Sequence, residues 1–189
     1  VGSVTTEQTL EFGASGMNLD NSFFIQNTNG ANRTIRLDVA GTATGVISGN
    51  TDLRLTSAGI FRYDVGADDT LTNSGVISFG AGGGSGVTKT GAGTLILTGT
   101  GGTNSYLGTT AANAGTLRMI NSASGNGIKS NATYTVASGA TLEFNRTGGT
   151  SSIGTINLSG DGTFKTTGTV EITQTSLGST GALGSGALF

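Results

Sequence analysis

Short runs of alternating apolar and polar residues recur along the whole chain, separated by turns rich in glycine and asparagine. In the run Thr94–Thr98 the apolar side chains of Leu95 and Leu97 share one face, and Leu117 and Met119 do so in the next strong run. This period of two predicts strands with one buried side. No long segment shows the 3.6-residue period of a helix, so the pattern predicts an all-β chain.

The runs repeat at a nearly constant interval. The marker residues Leu53, Leu71, Leu95, Leu117, Leu142 and Phe164 are separated by 18, 24, 22, 25 and 22 residues. An interval of about 22 residues is typical of stacked solenoid repeats, whereas a propeller blade needs about 40–45 residues. Roughly eight coils fit the chain and would form a rod on the order of 40 Å long. We expect Leu95, Leu117, Leu142 and Phe164 to form an internal apolar column. A β-sandwich of about a dozen strands is the alternative, because sandwiches also place turns every 8–12 residues.

One stretch, Gly86–Met119, also carries a family resemblance. The order Lys89, Gly91, Gly93-Thr94-Leu95, Leu97, Gly99, Tyr106, Gly108, Thr110 and Gly115-Thr116-Leu117 resembles the passenger-associated transport repeat, also called the autotransporter-associated β-strand repeat. Family members have an aliphatic residue where this chain has Ala112. The resemblance implies a right-handed parallel β-helix in a large secreted or surface-displayed bacterial protein, and it implies no activity.

Composition narrows the class of protein further. It is uniform from end to end, which predicts a single domain over residues 1–189, either whole or a segment of a longer secreted protein. Proline is absent, which suits a chain with most residues in or beside a sheet, and cysteine is absent, which excludes disulfides. The net charge of −2 argues against nucleic acid as a partner. No apolar run approaches the roughly 18 residues that would indicate a transmembrane helix.

Two acidic segments are the candidates for catalysis. Asn50-Thr51-Asp52 and Asp68-Asp69 resemble the carboxylate motifs of polygalacturonases, which are also right-handed β-helices. That family also needs a Gly-His-Gly, where this chain has Gly91-Ala92-Gly93, and a downstream Arg-Ile-Lys, which is missing. We therefore interpret Asp68-Asp69 as a solvated turn and predict no catalytic residues and no enzymatic activity.

Calcium is harder to exclude from the composition than the transition metals are. Histidine and cysteine are absent, so any metal site must be built from oxygen ligands. Asp64, Asp68 and Asp69 form the one acidic cluster, and whether they hold a weak calcium site stays open at this point. We predict no cofactor.

The two ends of the predicted solenoid look unprotected. A first and a last coil expose unpaired N–H and C=O groups, and neither end carries a predicted helical cap. We therefore predict that copies stack head to tail into a filament, or that flanking repeats of the same chain cover the ends. The residues expected at this polymer interface are Leu10, Phe12, Leu183, Leu188 and Phe189.

The predicted function is that of a non-enzymatic structural protein of a secreted or cell-surface fibre, stalk or adhesin. Surface polysaccharide is a further candidate partner. The alternative is a carbohydrate-directed β-helix, either the remnant of a polysaccharide-degrading enzyme or a binding module. Such a protein would need long loops on one side of the rod, and the turns in this sequence are short.

Overall fold

A computed structural model describes residues 7–27, 31–55, 60–79, 86–100, 102–122, 125–128, 132–148, 153–168 and 172–178. These residues contain nineteen strands and no helix. In chain order the strands are β1 (Gln8–Phe12), β2 (Met17–Leu19), β3 (Phe23–Asn27), β4 (Arg33–Leu37), β5 (Thr44–Ile47), β6 (Thr51–Leu55), β7 (Phe61–Val65), β8 (Thr70–Asn73), β9 (Ile77–Phe79), β10 (Val87–Thr90), β11 (Thr94–Leu97), β12 (Thr110–Ala112), β13 (Thr116–Ser122), β14 (Gly125–Asn126), β15 (Ala132–Val136), β16 (Thr141–Arg146), β17 (Ile153–Ser159), β18 (Thr163–Thr167) and β19 (Ile172–Gly178).

The strands form three sheets whose members come from successive turns of the chain. Sheet A has eight strands in the order β1-β4-β7-β10-β12-β15-β17-β19, sheet B has β2-β5-β8-β11-β13-β16-β18, and sheet C has β3-β6-β9. Every pairing along these sheets is parallel, and the short β14 is attached antiparallel to β13. This is the β-solenoid that the sequence predicts. The number of coils differs slightly from the predicted eight. Sheet A has eight strands, but sheet B has seven and sheet C three, so not every coil contributes to every sheet.

The length of a coil varies along the stack. In sheet B, each residue pairs with one 28 or 26 positions away in the early coils, as Met17 does with Gly45 and Thr44 with Thr70. After β9 these separations are 22 to 25 positions, as between Thr94 and Thr116 or Thr116 and Thr141. The coil from Thr70 to Thr94 contains β9 of sheet C and yet has 24 residues, so a strand in sheet C does not by itself make a coil longer.

The predicted apolar column is confirmed in sheet B. Leu95 pairs with Leu117, Leu117 with Leu142 and Leu142 with Phe164, and all four side chains are buried. The column continues below Leu95 to Leu71, which is also buried.

The first marker, Leu53, is not equivalent to the other markers of the repeat. Leu53 is buried, but it lies in β6 of sheet C, and the residue that pairs with Leu71 is Gly45. A Cβ added at Gly45 would lie 3.1 Å from Cδ1 of Phe12 and 3.2 Å from Cδ1 of Leu71. The two large side chains therefore fill the place that a side chain at position 45 would occupy. The presence of the third sheet is the reason that the 18-residue interval is not a coil length.

Each corner from sheet A to sheet B contains one residue in the left-handed backbone region. Their φ angles lie between 60° and 114°. These residues are Gly16, Gly41, Asp68, Gly91, Gly115, Gly139 and Gly160. Six of the seven are glycine, which adopts this conformation without steric cost. Asp68, at φ 64°, is the exception, and aspartate is one of the residues that tolerate it best.

A buried asparagine joins the coils where sheet C ends. Asn104 lies in the segment between β11 and β12 and is 2% exposed. Its Oδ1 accepts a hydrogen bond from the Ile77 N–H (2.8 Å), and its Nδ2 donates to the Gly127 carbonyl (3.0 Å). One side chain thus bonds to the backbone of a coil on each side, as a strand of sheet C would do at that level.

Candidate functional site: the open first coil

The first coil has an open edge in all three sheets. Among the described residues, β1 pairs only with β4, β2 only with β5 and β3 only with β6. Each of these strands therefore has one row of backbone N–H and C=O groups without a strand partner in the described part of the chain. Such an edge is a template for pairing with a further strand.

Exposed apolar side chains are concentrated on this first coil. Leu10 is 48% exposed, Met17 42% and Phe24 56%, and they lie on β1, β2 and β3 respectively. Among the described residues only Ile60 and Leu107 are further large apolar side chains with comparable exposure. Apolar surface grouped in this way is typical of an interaction site.

The residues predicted to form the polymer interface do not share one environment in the structure. Leu10 lies at the open edge, paired on its other side with Ile35. Phe12 is 2% exposed and belongs to the core. Leu183, Leu188 and Phe189 lie outside the described residues. The sequence analysis missed Met17, because the strand that contains it has only three residues.

Two depressions open beside these residues. One is lined by parts of β1, β3 and β4, including Leu10, Phe23 and Ile35, and the other by Leu10, Leu19 and Phe23 with the polar residues 18, 20 and 21. Leu19, Phe23 and Ile25 are partly buried and pack against the core. The open end of the solenoid is therefore an apolar mouth with a polar rim.

The two candidate catalytic carboxylates are engaged in different places. Asp52 lies in sheet C and forms an ion pair with Arg54, with Oδ2 2.8 Å from Nε. The guanidinium of Arg54 lies over the ring of Phe24, with Cζ 4.8 Å from the centroid. Asp69 belongs to the corner between β7 and β8 and shares none of these contacts. The structure thus does not bring the two carboxylates together as an acid and base pair.

The interpretation of Asp68-Asp69 as a solvated turn is wrong for Asp69. Its carboxylate is 1% exposed and accepts hydrogen bonds from the backbone N–H groups of Ala43 (2.8 Å) and Val39 (3.1 Å) of the preceding coil. Asp68 is exposed, as expected. Asp69 is therefore a structural residue that satisfies two buried donors at a corner.

The acidic cluster does not form a metal site in the described residues. Asp64 accepts a hydrogen bond from the Thr90 hydroxyl (2.9 Å) and lies 3.7 Å from Arg36, whereas both oxygens of Asp69 are bonded to backbone donors. No group of three or more acidic, histidine or cysteine side chains in that part of the chain is arranged to hold a metal ion.

A buried lysine is the most unusual charged group of the core. Lys89 is 0% exposed and follows Val87 on the inward face of β10. Its Nζ donates to the carbonyls of Thr90 (2.7 Å), Gly91 (2.7 Å) and Ala114 (3.2 Å), which belong to two adjacent corners. Burial lowers the pKa of Lys89 to about 8, and the charge of Asp64 partly opposes this shift. The sequence analysis did not place Lys89 inward. Its position two residues after Val87 is the one available signal, because its hydrogen-bonding partners are backbone atoms.

Charged residues on the outer faces alternate in sign along the stack. In sheet A, Glu11, Arg36 and Asp64 are in register on successive coils. In sheet B, Arg118, Glu143 and Lys165 are in register, and Arg118 Nε lies 2.9 Å from Glu143 Oε2. Opposite charges side by side favour this register over a slipped one.

The pKa of Glu143 reflects this arrangement. Burial raises the pKa of its carboxyl, but hydrogen bonds from Thr167 and Arg118 and the charges of Arg118 and Lys165 outweigh burial, so that the pKa is lowered overall.

Comparison with known proteins identifies one stretch of the chain. Residues 87–119 match the family model of the passenger-associated-transport-repeat, which confirms the resemblance found in the sequence. This stretch covers β10 to β13 up to Met119, including the buried Lys89 and the corners it bonds to. No curated protein and no solved structure gives a significant match. None of the described residues forms a helix long and apolar enough to cross a membrane.

Proposed function

We propose that this protein is a non-enzymatic structural protein, exported to the cell surface or the extracellular space, whose solenoid extends by adding coils at the open first coil. The passenger-repeat match and the β-solenoid fold both fit a secreted or surface structural role. More specifically, we propose that the protein is part of a fibre, stalk or adhesin and consists of one solenoid domain.

The open edge of β1, β2 and β3 is the observation that carries this proposal. A further parallel coil would bond to three edge strands at once and cover Leu10 and Met17. The coil is supplied by another copy of the chain in head-to-tail stacking or by a flanking repeat. Head-to-tail contacts repeat without closing, so they produce filaments.

The contacts of the acidic residues support a structural role over a catalytic one. Asp52 is paired with Arg54, and Asp69 bonds to two backbone N–H groups. Polysaccharide is retained as a candidate surface ligand of the assembled fibre. With a net charge of −2, nucleic acid is not proposed as a partner.

Imaging of the purified chain, together with sedimentation, tests the assembly. We expect elongated particles whose mean length falls sharply when Leu10 and Met17 are both changed to lysine, because charges on the edge strands oppose strand addition. Leu107→Lys is the matched control, since Leu107 is 61% exposed but lies in the segment before β12. Particles that stay monomeric at high concentration in the unchanged protein would reject stacking. Equal shortening by the control would show that the first coil is not the contact.

A further inference from the structure

Among the residues that the structure describes, two polar side chains inside the solenoid have a buried atom without a hydrogen-bonding partner. They are the Thr51 hydroxyl Oγ1 and the Asn73 amide oxygen Oδ1. Thr51 is 0% exposed and Asn73 1% exposed. Buried polar groups in native proteins are nearly always satisfied by the protein or by ordered water.

Both side chains flank the same corner on adjacent coils. The corner 48–50 joins β5 to β6, and the corner 74–76 joins β8 to β9 directly beside it. Asn73 pairs with Ile47 before the corner, and Thr51 pairs with Ile77 after it. The Thr51 N–H also donates to the Val76 carbonyl at 2.9 Å. The backbone therefore places the two groups on the inner side of one corner, a level apart.

Turning the Asn73 amide over does not solve the problem. Its Nδ2 donates to the Tyr63 hydroxyl at 2.6 Å. In the opposite orientation the oxygen would accept from Tyr63, but the amide nitrogen would then lose this acceptor. One atom of the amide lacks a partner in either orientation. The need for a further hydrogen-bonding partner therefore does not depend on which way the amide is placed.

We propose that Thr51 and Asn73 bind an internal water molecule at this corner. Water both donates and accepts, and a buried water typically makes about three hydrogen bonds to groups of this kind. Both partners are neutral, which suits a neutral ligand better than an ion. The site is independent of the assembly proposed above.

The sign of a stability change tests the proposal first. Thr51→Val replaces the hydroxyl with a methyl group of similar size. If the hydroxyl bonds to water, the melting temperature falls. If the hydroxyl is unsatisfied, the melting temperature rises, because an unpaired buried polar group has been removed. Thr110→Val is the matched control, since Thr110 is also 0% exposed and its hydroxyl lies 2.6 Å from the Tyr106 hydroxyl. We expect both variants to shift the melting temperature downward.

Counting long-lived internal waters by oxygen-17 magnetic relaxation dispersion provides the direct test. We expect one water fewer in Thr51→Val than in the unchanged protein, and the same number in Thr51→Ser, which keeps the hydroxyl. A rise in the melting temperature of Thr51→Val would overturn the proposal. So would an unchanged water count, even if the melting temperature fell.

Discussion

The early coils and the later coils of the solenoid are built on different cross-sections. The first three coils contribute to three sheets and the later ones to two. In sheet B the residues of the early coils pair with residues 28, 26 and 24 positions away, and those of the later coils with residues 22 to 25 positions away. Sheets A and B run through both the early and the later coils without interruption. Coil length can thus change within one stack, provided that the register in sheets A and B is kept.

The interior also differs along the stack. Around β7 to β12 the interior contains hydrogen-bonded polar side chains, among them Tyr63, Lys89 and Asn104. From β15 to β18 it is aromatic, with Phe144 making edge-to-face contacts with Tyr134 and Phe164 at 5.0 Å between ring centroids. Of the polar side chains, Asn104 lies where the third sheet ends, and its side chain bonds to backbone groups of the coils on both sides.

The corners show the same contrast. The left-handed residues Gly16 and Gly41 have no atom within 4 Å of an added Cβ, whereas a Cβ at Gly91, Gly115 or Gly160 would lie 2.1 to 2.3 Å from a backbone oxygen of the neighbouring coil. Most corners of the later coils are thus tight. Gly139, which has nothing within 4 Å, is an open corner among them.

The largest expected effect comes from a charge in the apolar column. Leu117→Asp should abolish folding, because an unpaired carboxylate in a dry core costs several kcal/mol, comparable with the whole stability of a domain. Far-UV circular dichroism and thermal melting measure this. Thr133→Asp, at an exposed strand position, is the control and should melt close to the unchanged protein. A Leu117→Asp protein with normal melting would contradict the facing of β13.

A smaller effect should separate tight corners from open ones. Gly115→Asp places a Cβ 2.3 Å from the Gly93 carbonyl oxygen and should destabilise the fold by more than about 2 kcal/mol. Gly139→Asp has the same sign of φ but open space, and Asp68 shows that aspartate fits such a corner, so the loss should stay near 1 kcal/mol. Urea unfolding measures both. Equal losses would mean that backbone conformation alone, and not the close approach of coils, decides the glycine.

The smallest expected effect is a pH dependence from the polar interior. The pKa of Lys89 is about 8 in the fold, against 10.5 for an ordinary lysine, so the unfolded chain binds more protons between these values. Stability should therefore rise with pH from about 8 to 10, by on the order of 1 kcal/mol. Lys89→Met should remove this rise in pH-dependent urea unfolding. A rise of the same size in Lys89→Met would assign it to another group.

Tyrosines reverse the trend at higher pH. Burial raises the pKa of Tyr106 to about 12 despite its hydrogen bond with Thr110, and burial likewise raises that of Tyr63. Above pH 10 the unfolded tyrosines lose protons that the folded ones keep, so stability should fall again.

Regular spacing decided how much of this fold the sequence could reveal. From Leu71 to Phe164 each coil has one strong apolar position per strand in sheet B, and the pairs in the structure are those that the intervals predict. Before Leu71 the pattern misleads, because Gly45 holds the equivalent position and Leu53 belongs to sheet C.

The polar groups of the interior were harder to find. Asp69 and Asn104 are of residue types that are common in turns, so nothing in the sequence distinguishes them. Their hydrogen-bonding partners are backbone atoms of other coils, 23 to 30 positions away. The open first coil was predicted from the absence of a cap, but Met17 and Phe24 could be placed on it only once the three sheets were known.

Parallel stacking in register also determines what the chain must bring together when it folds. In the described part of the chain, every pairing between coils joins residues 19 to 28 positions apart, as Ile153 with Ile172 and Arg33 with Phe61. The entropy of closing such loops differs by only about 0.3 kcal/mol across this range. A coil therefore pairs with a segment that is close to it in sequence. A longer chain of the same kind would contain more pairings, but the sequence separation between paired residues would not increase. Each new coil needs only its predecessor as a template, so this architecture can be completed in order as the chain emerges from one end.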